Sequence, residues 1–63
     1  MTMGRQIRRA RQQTGRSVQA LAYEARIHPA TWYSAEAGAD LTVSRLCRIA
    51  EAVGLELVLR PQG

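Results

Sequence analysis

The 63-residue chain has no lysine and no phenylalanine, and only one tryptophan, one histidine, one cysteine and two prolines. A lone cysteine, Cys47, excludes an intrachain disulfide, and with a single histidine it leaves too few ligands for a zinc site. No apolar run approaches the roughly 18 residues of a membrane span, and no cationic stretch leads into an apolar one as in a secretory signal. A cytoplasmic location away from the membrane is therefore expected. The shortage of large aromatics limits the core. A domain of this size buries only about 60% of its unfolded surface, so dimerisation is a natural supplement to stability.

All nine basic residues are arginine, giving a formal net charge of +4 and a pI near 10.7. They are unevenly placed. Through residue 26, Arg5, Arg8, Arg9, Arg11, Arg16 and Arg26 face Glu24 alone; afterwards Arg45, Arg48 and Arg60 are outnumbered by Glu36, Asp40, Glu51 and Glu56. A one-sided arginine half suits a polyanion, because the guanidinium fork donates two parallel hydrogen bonds to phosphate. Charge alone leaves a solvated helix face as an equal alternative.

Periodicity organises the chain into four helices, about 5–14, 18–25, 29–37 and 43–53, in one domain spanning 1–63. Residues 1–4 read as a flexible lead. Ile7, Ala10, Arg11 and Thr14 share one face of the first helix, which Gly15 stops. Ser17 caps the second, with Leu21, Ala22 and Ala25 facing inward. Arg26, Ile27 and His28 make a turn, and Pro29 stands at a first helical position, where proline is favoured. Gly38 stops this third helix. Thr42 caps a fourth, whose Val43, Leu46, Cys47, Ala50 and Val53 recur on one side before Gly54. Two short helices separated by three residues have the spacing of a helix-turn-helix, in which the second helix enters the DNA major groove.

The period then changes. Leu55, Leu57 and Leu59 alternate with Glu56, Val58 and Arg60 up to Pro61, predicting a strand over 55–60. Nothing else in the chain reads as a strand. Pairing with the same segment of a twofold-related subunit would satisfy its backbone and bury leucines from both chains. The alternative is a fifth helix or a tail packed on its own core. A segment this short before proline favours the shared strand.

On Ile7 and Arg11, Gly15 and Ser17, the Leu21-Ala22 pair, Ile27, Glu36 and Gly38, and Leu46, Ile49-Ala50 and Val53-Gly54, residues 5–57 resemble the Cro and phage-repressor (XRE) helix-turn-helix family. The resemblance implies an all-α, four-helix DNA-binding domain, here with a short C-terminal β-strand pairing across a homodimer. It implies an ion pair between Arg11 and Glu36, tying the recognition helix to the scaffold. It places base contacts at His28, Pro29, Ala30, Tyr33 and Ser34. Phosphate contacts fall at Arg16, Ser17, Val18, Gln19, Arg26 and Thr31. Departures are visible. Val18 replaces the usual glutamine, which leaves backbone N–H groups for the phosphate. Arg26 replaces the usual turn glycine, a strained choice if the backbone there is left-handed. Trp32 and Ala35 replace two medium aliphatics at conserved total volume, which assigns Trp32 to the core. The base-facing set lacks the Gln, Asn or Arg that read purines bidentately, so readout by shape and water is expected to matter more.

A short domain ending in ELVLRP further resembles the small HipB-like antitoxins and operon repressors. That likeness implies a homodimer on a double-stranded operator, repressing its own operon and binding a HipA-like kinase toxin. A plain repressor would share these features, and a module that mainly neutralises a partner protein is the alternative. A single-strand RNA adaptor would need an aromatic stacking platform that the sequence lacks. No catalytic constellation, metal site or cofactor motif can be assembled, so neither enzyme activity nor a cofactor is expected.

Overall fold

The computed structural model describes residues 2–58, which form α1 (Met3–Thr14), α2 (Val18–Ala25), α3 (Pro29–Glu36) and α4 (Val43–Ala52). Each helix starts on a side-chain cap. Thr2 Oγ1 accepts from the Arg5 N–H at 3.3 Å, Ser17 Oγ from Ala20 at 3.1 Å, and Thr42 Oγ1 from Arg45 at 3.2 Å. His28 Nδ1 accepts from Ala30 at 3.0 Å. Such a cap satisfies an N–H that the helix cannot and is worth about 1 kcal/mol.

The first helix begins two residues earlier than the periodicity indicates. Thr2 is its cap, and Gly4 is buried beneath the last turn of α3. A Cβ on Gly4 would lie 2.9 Å from the Ala35 carbonyl oxygen and nearer still to that of Glu36. Only glycine allows this approach, so from Thr2 onward the supposed lead belongs to the packed structure.

Three helices end alike: one residue turns left-handed and the next N–H reaches back five residues. Ile27 donates to the Ala22 carbonyl at 2.9 Å, Ala39 to Ser34 at 2.9 Å, and Leu55 to Ala50 at 2.8 Å. The left-handed residues are Arg26 (φ 59°), Gly38 (φ 94°) and Gly54 (φ 77°). Arg26 carries a Cβ into this region at a cost of about 1–2 kcal/mol. Against the extra chain entropy of glycine, Arg26→Gly should raise stability by about 0.5–1 kcal/mol, read as a higher urea midpoint.

The same closure shapes the start of the C-terminal segment. The fourth helix ends at Ala52 with Val53 as its cap, and Leu55 is drawn back onto Ala50. Residues 55–58 form no strand within the chain. Their alternation survives as one-sided burial: Leu55 and Leu57 are half-buried, Glu56 and Val58 exposed. Leu59 and Arg60 lie outside the described residues.

The helices pack as α1 on α3, α2 on α3 and α2 on α4. Trp32, Leu21 and Ile49 are wholly buried at the centre, with Ile7, Val18 and Ile27 closing around them. Trp32 is thus core, as volume conservation indicates. Helix α4 is rotated from the expected register: Ile49, Ala50 and Val53 face inward, Leu46 and Cys47 are half-buried, and Val43 is exposed. Thr14 also turns outward. The centre of α4 faces α2, and Ile49 fills that space.

Candidate nucleic-acid interface

The corner between α2 and α3 contains no spare residue. Arg26 closes α2, Ile27 is its buried hydrophobic plug, and His28 opens α3 as its cap. Accepting through Nδ1 places the ring proton of neutral His28 on Nε2. Pro29 follows at the first helical position, so the start of α3 is fixed on both sides.

At its other end α3 is fastened to α1. Arg11 donates from Nε to Glu36 Oε2 at 2.6 Å and from Nη2 to Oε1 at 3.0 Å, a two-pronged pair. Trp32, one turn earlier on α3, donates from Nε1 to Oε2 at 2.8 Å. The Glu36 side chain is 8% exposed. Burial opposes its ionisation, but the hydrogen bonds from Arg11 and Trp32, with the charges of Arg11 and Arg8, prevail and hold its carboxyl below the usual carboxylate range. The Glu36 hydrogen bond raises the pKa of Arg11 in turn. With the His28 cap at its start, this pair ties down both ends of an eight-residue helix that would be too short to persist alone.

Between these anchors, His28, Ala30, Tyr33 and Ser34 are exposed, and Pro29 and Thr31 are half-buried. The Ser34 hydroxyl donates to the Ala30 carbonyl at 3.0 Å, which occupies its proton and leaves its oxygen as an acceptor. Tyr33 is 52% exposed.

The phosphate-contact set is less uniform. Ser17 and Gln19 are exposed at the start of α2, and Arg26 is exposed at the corner. Val18 is only 3% exposed. Its side chain belongs to the core, because the first turn of α2 lies on the apolar cluster, so any phosphate contact at this position falls to the backbone N–H. Arg16 pairs with Glu24 at 2.5 Å, both about half in water. An exposed pair of this kind contributes little and can exchange for a stronger anion.

Three participants were not assigned from sequence. The indole bond of Trp32 was legible in its i, i+4 spacing to Glu36. The His28 cap was hidden because histidine lies outside the usual capping set. Arg8 lies beside Tyr33 and Glu36 on the seam between α1 and α3, and helical periodicity alone gives no sign of that meeting.

Among the described residues no group of three or more His, Cys, Asp and Glu side chains is placed to hold a metal ion, and no helix is long and apolar enough to cross a membrane.

Two short helices joined at a closed corner, the second exposed along one side and pinned to a scaffold helix, define a helix-turn-helix unit of the DNA-binding class. The family model described as helix-turn-helix domain matches residues 2–62, and the chain belongs to that family. Neither curated proteins nor solved structures gave a significant match.

Proposed function

We propose that the protein is a sequence-specific, dimeric transcriptional repressor, and that it is the antitoxin of an operon it represses itself, binding a HipA-like kinase toxin. The observation that carries DNA recognition is the exposed side of α3, pinned at the corner by His28 and at its end by Arg11 and Trp32. The arginine-rich N-terminal half supplies the field that draws it to the duplex. His28, Pro29, Ala30 and Ser34 face the groove, with Tyr33 at the edge. The antitoxin role rests on the sequence resemblance alone.

Dimerisation is supported by an apolar groove in which Met3, Ile7, Leu46, Leu57 and Val58 come together. Met3 and Val58 are about half exposed. A second copy seated there would bury both and bring two recognition helices to half-sites about 34–36 Å apart. Leu57→Asp should yield a monomer that loses operator binding; a dimer in light scattering would disprove the assignment of this face.

The deciding experiment selects duplexes from a random pool with the wild-type protein and compares the winner with random sequence across a salt series. Preference for the selected duplex, with a slope steepened by about 0.9 per phosphate contacted, is expected. Equal affinity for both would remove sequence specificity. The lean groove face, with the Ser34 proton spent on its own helix, favours one other reading: a module that chiefly neutralises a partner protein. Stable co-purification with the neighbouring gene product and no duplex binding would establish that instead.

A further inference from the structure

Arg8, Arg11, Tyr33, Glu36 and Ala37 line one depression on the seam between α1 and α3. Its charges do not cancel. Two guanidinium groups meet one carboxylate, leaving one positive charge. Glu36 is fully engaged by the Nε and Nη2 donors of Arg11 and the indole of Trp32. Arg8 is exposed and close enough for its charge to act on Glu36, yet among the described residues it has neither ion pair nor hydrogen bond. The Tyr33 hydroxyl likewise has no hydrogen-bond partner among the described residues. Tyr33 and Ala37 stand four residues apart, as do Pro29 and Tyr33, so the depression closes the C-terminal end of the face that begins at Pro29.

We propose that Arg8 and Tyr33 form a phosphodiester-binding site that grips the DNA backbone at the edge of the major groove and sets how far along it α3 lies. The proposal rests on the DNA-binding reading above. A single phosphodiester carries one negative charge, matching the surplus of the depression. The free guanidinium fork and the phenol donate to its oxygens, while Arg11 stays committed to Glu36. Tyr33 thereby leaves the base-reading set and becomes a backbone contact, which explains why its neighbour across the seam is an arginine. The arginine is held on a scaffold helix, so the contact reports the pose of the whole domain.

The test uses the full chain with the selected duplex and a random duplex. Arg8→Ala should lower affinity for both by the same factor, about tenfold, and reduce the salt slope by about 1. Arg8→Lys should restore the slope, because an ammonium still displaces the counterion. Tyr33→Phe should weaken both complexes about threefold with the slope unchanged. Arg9→Ala, which removes the same charge outside the seam, should reduce the slope by less than Arg8→Ala. Far-ultraviolet dichroism should stay as in the wild type throughout, since Arg8, Arg9 and Tyr33 are all exposed. An unchanged slope in Arg8→Ala, or loss of preference for the selected duplex alone, would overturn the site while leaving the DNA-binding reading intact. A wild-type protein that binds neither duplex would overturn both.

Discussion

Trp32→Ala should leave the domain unfolded or nearly so at neutral pH, with helical dichroism lost at temperatures where the wild type is folded. Trp32 is wholly buried where α3 meets the scaffold, and it is the largest side chain in the core. Removing a buried tryptophan costs about 3–5 kcal/mol, whereas a chain of this length has only about 3–9 kcal/mol in total. The small neighbours Ala22, Ala25 and Ala35 cannot swell to fill the gap. Trp32→Phe separates the two duties of the residue. The ring is mostly kept, but Glu36 loses a donor, and the loss should be about 1–3 kcal/mol by urea denaturation. A folded alanine variant of nearly wild-type stability would show that α3 is held in some other way.

The second large effect concerns the ion pair. Arg11→Ala leaves the Glu36 carboxylate sheltered with only the indole as donor. We expect a loss of about 2–3 kcal/mol at neutral pH, below the figure for a fully buried pair because the Arg11 side chain is 20% exposed. The pH dependence gives this prediction its signature. The folded carboxyl of Glu36 lies below its ordinary value of 4.5, so the unfolded chain takes up the proton first. The stability from the pair is therefore complete above about pH 4.5 and is lost as the pH falls through the folded value. Urea titrations at about pH 7 and about pH 3 should show the gap between wild type and Arg11→Ala narrowing in acid. A gap that stays constant would mean that Arg11 acts through packing rather than charge.

What could be read in advance followed local rules. Ser17, Thr42 and Pro29 marked three helix starts because capping and proline chemistry act within one turn. Arg11 and Glu36 were paired through the family resemblance. Readings failed where a distant element set the terms. Gly4 looks like a helix breaker in sequence, and only the backbone of α3 lying above it makes it a helix residue. At the opening of α2 the apolar cluster beneath takes the side chain of Val18, a burial that the local pattern alone did not show. The exposed side of α3 follows from helical geometry, while the position of Arg8 beside Tyr33 depends on the crossing of α1 over α3.

The chain has one tryptophan, and it sits inside the joint that holds the recognition helix. An indole buried in apolar surroundings and bonded to an ionised carboxylate is a built-in fluorophore, its emission set by the state of that joint. Acid that neutralises Glu36, a variant that frees Arg11, or a duplex that shifts α3 would each alter the light from the same ring. The domain can thus be followed through folding, titration and DNA binding without a label, by a residue wholly enclosed in its core.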